Sequence, residues 1–199
     1  MIDNARSIIA GLYDQDHVGV EVISDVLTAE ELGLLNDTFN KNAELFLPLN
    51  FGDVTRWDLT EEDFCNFPEL GIGREKVKNI TDVITRVTEC NSVYKEKFCV
   101  LFYPEGSSGV KPHRDTEHSV NCVIILVVKG QNSFCVARDK GCKEVVKFPV
   151  KPGDVIVMRG PRSINDKLSR PIHYVNKVIK PRYVMIYRHV NLDGLKKPS

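Results

Sequence analysis

The chain has 199 residues, 42% of them apolar, which is enough for one sizeable core and short enough to be read as one domain. Its 27 basic and 27 acidic side chains cancel, which excludes a whole-molecule field that would draw it to nucleic acid or to an anionic membrane. Any polyanion site has to be local.

Six cysteines, at 65, 90, 99, 122, 135 and 142, form no CxxC pair, and several sit inside apolar runs. That spacing suits neither a zinc knuckle nor a small secreted disulfide framework, so buried free thiols in a reducing compartment are expected. The N-terminal stretch carries Asp3, Asp14 and Asp16 around a short apolar patch, and nowhere do about eighteen apolar residues run together. The expectation is an intracellular protein, cytoplasmic or nuclear, with no signal peptide, no transmembrane segment and no membrane partner. Asn36-Asp-Thr38 and Asn79-Ile-Thr81 match a glycosylation acceptor, which in such a chain is coincidence.

In chain order, the first half reads as helical with one strand. Thr28-Ala-Glu-Glu31 is a capping-box pattern opening a helix with Leu32, Leu35 and Phe39 on one side. Val77, Ile80, Ile84 and Val87 repeat at helical spacing between Arg74 and Glu89. Between these helices, residues 44 to 70 set Phe46, Phe51, Trp57, Phe64 and Phe67 among Pro, Gly, Asn and Asp, an irregular segment with aromatic side chains to place.

From Lys97 the pattern changes to short apolar or alternating runs: 98 to 103, 120 to 128, 133 to 137, 144 to 148, 155 to 158 and 183 to 187. Good turn formers separate them, among them Pro104-Glu-Gly and Lys151-Pro-Gly-Asp. Evenly spaced strands of this length point to a sandwich or small barrel, and helices beside it make the fold class α+β. There is no internal repeat or low-complexity linker. The whole chain, 1–199, is expected to be one domain, with 1–95 as helical support and candidate substrate lid and 96–190 as the β core.

Three elements carry chemistry. In His113-Arg-Asp115, an extended segment points the His and Asp side chains to one face, so that they share one metal. A kinase catalytic loop also contains His-Arg-Asp, but Thr116-Glu-His-Ser follows here and no Gly-rich loop is present. His173 lies between the Val155–Met158 run and the last apolar strand, and is the candidate third ligand. Two imidazoles and one carboxylate on one side of a metal leave the opposite positions open, which suits a non-haem Fe(II) that must bind a co-substrate and dioxygen. Zinc or nickel fits the same donors nearly as readily. His118 and His189 are set aside, the first too close in a turn and the second beyond the last apolar pair. In the third element, Arg182, Val184, Ile186 and Arg188 share one parity of a strand. Two arginines on an otherwise apolar face imply an anionic partner, and their spacing suits a small dicarboxylate.

Over residues 95 to 190 the chain resembles the Fe(II)/2-oxoglutarate-dependent dioxygenases, and within them the AlkB-type enzymes. The likeness rests on Tyr103-Pro-Glu-Gly leading into Lys-Pro-His113-Arg-Asp115, on Gly153-Asp-Val-Ile-Val-Met-Arg-Gly-Pro161, on His173 and on Arg182-x5-Arg188. Val20 to Glu31 is similar to the strand-to-helix entry of that superfamily. Tyr103-Pro-Glu-Gly and Pro112-His-Arg-Asp-Thr116 read equally well as prolyl-hydroxylase-like. The resemblance implies a double-stranded β-helix (jelly-roll) core and an enzyme that oxidises a C–H bond with O2 while decarboxylating 2-oxoglutarate to succinate. It makes His113, Asp115 and His173 the catalytic iron ligands. Arg182 would bind the distal carboxylate of 2-oxoglutarate, helped by Tyr103, with Arg188 near its chelating end and Asp115. Leu101 and Val184 stand where AlkB-type enzymes commonly carry asparagines.

For the substrate, Arg159, Arg162, Lys167, Arg170, Lys177 and Lys180 form a local basic strip interrupted only by Asp166. Trp57 and Phe51 are candidates to stack on an extruded base. Together they make an alkylated or methylated nucleic-acid base the first substrate expectation, with Trp57, Phe51, Arg159 and Arg162 as contacts. Hydroxylation of a protein or amino-acid side chain, with a peptide or small-molecule substrate, is the alternative. A non-catalytic β-helix module binding a metal or carboxylate is the reading from a different class.

Overall fold

The computed structural model describes residues 12, 18–49, 52–88, 94–115, 119–139, 141–160 and 170–191. Two antiparallel sheets face each other. The larger has seven strands in the order β1-β9-β6-β11-β4-β3-β2, and the smaller has four in the order β5-β10-β7-β8. The strands are β1 (Val20–Ile23), β2 (Leu47–Pro48), β3 (Thr55–Leu59), β4 (Tyr94–Tyr103), β5 (Val110–His113), β6 (Ser119–Lys129), β7 (Asn132–Ala137), β8 (Val145–Val150), β9 (Val155–Arg159), β10 (Ile172–Val175) and β11 (Arg182–Asn191). Among the described residues three α-helices of more than one turn accompany them: α1 (Ala29–Lys41), α2 (Glu61–Asn66) and α3 (Leu70–Thr88). This is the α+β jelly-roll architecture, with mostly antiparallel sheets and a helical layer on one side.

The alternation of side chains along each strand sorts the larger sheet into two faces. On β6, Cys122, Ile124, Leu126 and Val128 join the helix-side core, while Val123, Ile125 and Val127 join the core between the sheets. On β11, Tyr183, Met185 and Tyr187 go to the helix side, and Val184 and Ile186 to the space between the sheets. Both faces are apolar because both are covered, and each fully buried aliphatic side chain contributes roughly 1.5–3 kcal/mol of transfer free energy. Leu35 and Phe39 of α1 and Val77, Ile80 and Ile84 of α3 cover the helix side. Close approach matters here: a Cβ on Gly73 of α3 would sit 2.4 Å from the Met185 sulfur.

The capping box at Thr28 is present. The Thr28 hydroxyl accepts from the Glu31 amide and the Glu31 carboxylate accepts from the Thr28 amide. A second one, Thr60 with Asp63, opens α2 and was not anticipated. Among its described residues the first half holds three strands, β1 to β3, rather than one. β1 pairs with β9, and β3 pairs with β4, so both lengthen the larger sheet. The segment expected to be irregular hides this because β3 is only five residues long and carries Arg56 and Asp58 on one face. The five described cysteines are all free; Cys99, Cys122 and Cys135 are buried, but Cys65 is exposed.

Candidate metal and dicarboxylate site

His113 is the last residue of β5 and lies directly across from His173 of β10 in the strand register. Their ring centroids are 4.3 Å apart. Asp115 follows two residues on, and one donor atom each from His113, Asp115 and His173 lie within 4.8 Å of one another. The backbone already selects the tautomers. His113 Nδ1 donates to the Lys111 carbonyl at 2.9 Å, and His173 Nδ1 to the Pro171 carbonyl at 3.2 Å, which leaves each Nε2 with a lone pair for a metal.

The electrostatics agree with that role. Burial pushes the His173 pKa down to about 4, so the ring is neutral at physiological pH. Burial alone would raise the Asp115 pKa, but the Arg188 guanidinium, with His173 and His113, holds the carboxyl below its ordinary range. Arg188 grips that carboxylate as a fork, with Nε 3.4 Å from Oδ2 and Nη2 3.3 Å from Oδ1. The guanidinium of Arg170 donates to the Asp115 carbonyl, and Arg114 Nε donates to the Arg170 carbonyl at 3.1 Å. That reciprocal pair ties the residues around Asp115 to the strand entry that carries His173.

The triad opens into a cavity of about 460 Å³ lined by Tyr103, Arg182, Arg188 and the apolar Leu101, Ile125, Phe134, Val184 and Ile186 among others. Arg182 stands on its wall, 1% exposed, with Nε and Nη1 lacking a hydrogen-bond partner among the described residues. Burial lowers its pKa, against the opposing influence of Tyr103. The guanidinium carbon lies 5.8 Å from the centre of the Tyr103 ring, and burial pushes the Tyr103 hydroxyl up to about 12, so it remains a protonated donor. A buried arginine with unsatisfied N–H groups is costly unless an anion completes it. β11 is not an edge strand, since it lies between β6 and β4, and its arginines therefore face the interior. The donor set thus fits a divalent metal with open positions, and Arg182 fits a carboxylate.

Other expected contacts are not brought to this cavity. Trp57 is 4% exposed and packs edge-on against Phe46 and Phe67 in the helix-side core, because odd positions of β3 face the helices. Arg159 shares the helix-side parity of Val155 and Val157 on β9, and its Nη1 reaches the Leu12 carbonyl at 3.5 Å. Neither lines the cavity. Phe51 and Arg162, like His118, lie outside the described residues. Leu101 and Val184, apolar where the AlkB-type resemblance would place asparagines, do line it. Arg56 and Lys97 line it too and were missed, although parity reveals them: Arg56 alternates with buried Trp57, and Lys97 pairs with Arg188. Arg114 and Arg170 carry no such signal, because their contacts come from loop ends.

No family model matches the chain, and no curated protein matches it in sequence. Solved structures do match in shape. A prolyl-4-hydroxylase from Pseudomonas putida superposes with a TM-score of 0.72 at 11% identity, covering 94% of this chain and 98% of that one. A prolyl hydroxylase from Trichoplax adhaerens, in complex with a hypoxia inducible factor peptide fragment, gives 0.74 at 13% identity, covering 99% and 94%. HygX from Streptomyces hygroscopicus, solved with nickel and 2-oxoglutarate bound, gives 0.60 at 12% identity, covering 87% and 83%. These likenesses show the fold; they lend no specific support to the AlkB-type resemblance, and prolyl hydroxylases figure prominently among them.

Proposed function

We propose that the chain is an Fe(II)- and 2-oxoglutarate-dependent oxygenase that hydroxylates a protein or amino-acid side chain. One observation carries this reading: a His-Asp-His cluster and a buried arginine with unsatisfied N–H groups line the same cavity. A metal module without the dicarboxylate would have no use for Arg182 at such a desolvation cost. The prolyl-hydroxylase shape neighbours support a side-chain substrate over a nucleic-acid base, as does the packing of Trp57 into the core.

In this reading His113, Asp115 and His173 hold the metal through two Nε2 atoms and a carboxylate oxygen. Arg188 keeps that carboxylate ionised and oriented. Arg182 and the Tyr103 hydroxyl bind the far carboxylate of 2-oxoglutarate. When bound, Fe(II) and 2-oxoglutarate together supply the activation of dioxygen, with the co-substrate leaving as succinate and carbon dioxide. Leu101, Ile125, Val184 and Ile186 exclude water from the wall of the site, and Phe134 stacks on His173 with centroids 5.5 Å apart and fixes its ring plane.

The test is turnover of Fe(II)-loaded protein on peptide pools and, separately, on methylated oligonucleotides. A peptide mass gain of one oxygen, matched by succinate and lost in Asp115→Ala, is expected. Formaldehyde released from oligonucleotides would contradict the substrate half, and succinate unaffected by Asp115→Ala would contradict the metal half.

A further inference from the structure

Five cationic side chains line the cavity (Arg56, Lys97, Arg114, Arg182 and Arg188), and the carboxylate among the lining residues is Asp115. Asp115 is engaged by Arg188. Arg182 would be engaged by the co-substrate, and a divalent metal and a dicarboxylate cancel one another. Arg56 leans on Asp58 through one nitrogen, while its Nε is buried and has no partner among the described residues. Lys97 has no carboxylate partner among the described residues, and Arg114 spends its Nε on a neutral carbonyl. The site therefore keeps a surplus of positive charge at its mouth even when filled.

The surplus is spread over two walls. Arg56 and Lys97 belong to β3 and β4 of the larger sheet, whereas Arg114 follows β5 of the smaller sheet, between two of the metal donors. We propose that, on the oxygenase reading above, the substrate is an acidic peptide segment crossing the mouth, with carboxylates on either side of the oxidised residue meeting Lys97 and Arg56 on one wall and Arg114 on the other. A nucleic acid would supply negative charge as well, but a base drawn into the site needs an aromatic platform. Of the cavity's Tyr and Phe side chains, Tyr103 and Phe134 are 3% and 1% exposed and already lie against Arg182 and His173, while half-buried Tyr174 alternates with His173 on β10, lies across from Cys135, and has its hydroxyl engaged by the Cys135 and Cys142 thiols.

The probe is a fluorescein-labelled decapeptide alternating Glu and Ala around a central proline, with a Gln-for-Glu counterpart and a ten-nucleotide oligothymidylate. Binding is read by anisotropy to the anaerobic Fe(II)- and 2-oxoglutarate-loaded protein. The Glu peptide is expected to bind at least ~10-fold tighter than the Gln peptide, to weaken as salt rises from ~50 to ~300 mM, and to lose at least ~5-fold in Lys97→Glu but little in Lys97→Arg. Equal binding of the two peptides, no binding of either, or tighter binding of the oligonucleotide would overturn the proposal. Succinate formation by the same samples after oxygen is admitted separates the two claims. Charge-selective binding without succinate supports the acidic preference and removes the oxygenase reading, whereas succinate without charge selectivity does the reverse.

Discussion

At the scale of single residues, buried groups are given roles by what surrounds them. His173 and His189 are both almost fully buried, at 6% and 1% exposure, and burial pushes both pKa values down to about 4. His173 has the Pro171 carbonyl on one nitrogen and faces Asp115 and His113 across the metal position. His189 instead sits edge-on to Tyr187 on the helix-side parity of β11, away from the cavity. The consequence is a pH effect on stability. A histidine whose folded pKa lies below its unfolded value of about 6.5 takes up a proton more readily when unfolded, so stability falls as pH drops from about 6.5 toward about 4. Chemical denaturation at pH 7 and pH 5 is expected to show a loss on the order of 1–2 kcal/mol more in the wild type than in His189→Gln. Equal losses in both proteins would mean that His189 does not contribute to the acid sensitivity.

At the scale of elements, the site depends on how β5 is seated against β10. Gly109 precedes β5 with φ +76°, and a Cβ there would lie 2.0 Å from the Val175 carbonyl oxygen of β10. Its amide donates to the Ser107 hydroxyl, which in turn donates to Asp53. Gly109→Ala is expected to cost about 2 kcal/mol of stability and to weaken metal binding, because the displaced strand carries His113 away from His173. Calorimetry of the metal titration checks it, and unchanged metal affinity would show that the strand register is not what aligns the two rings. This dependence on register also explains what could be seen in the sequence. Parity alone placed Arg182 and Arg188 on one inward face and Tyr183, Met185 and Tyr187 on the other, and the structure divides them that way. The capping box at Thr28 and the strand runs after Lys97 were legible for the same reason, that local chemistry decides them. Strand β1 was legible through the resemblance of Val20 to Glu31 to a strand-to-helix entry, whereas β3 was not, because it is short and owes its existence to pairing with β4, distant in sequence. Trp57 does not reach the substrate side: its segment reads as irregular in sequence, but β3 is a strand and its parity sends the indole into the core.

At the scale of the whole molecule, charge and shape are distributed differently. The chain is neutral overall, yet its cavity gathers five cations around one carboxylate among the lining residues. Two sheets and a helical layer make this possible, since the larger sheet packs a largely apolar face against the helices and turns Arg56, Lys97, Arg182 and Arg188 to the face that opens to the cavity. No described helix is long and apolar enough to cross a membrane. The central claim is that one cavity holds a metal on His113, Asp115 and His173 and a dicarboxylate on Arg182. Anaerobic titration of 2-oxoglutarate into Fe(II)-loaded protein tests it most directly, with Asp115→Ala and Arg182→Ala alongside. Saturable, metal-dependent binding that weakens by at least ~10-fold, or ~1.4 kcal/mol, in each variant is the expected result. Binding that is independent of the metal, or equally tight in both variants, would contradict the account.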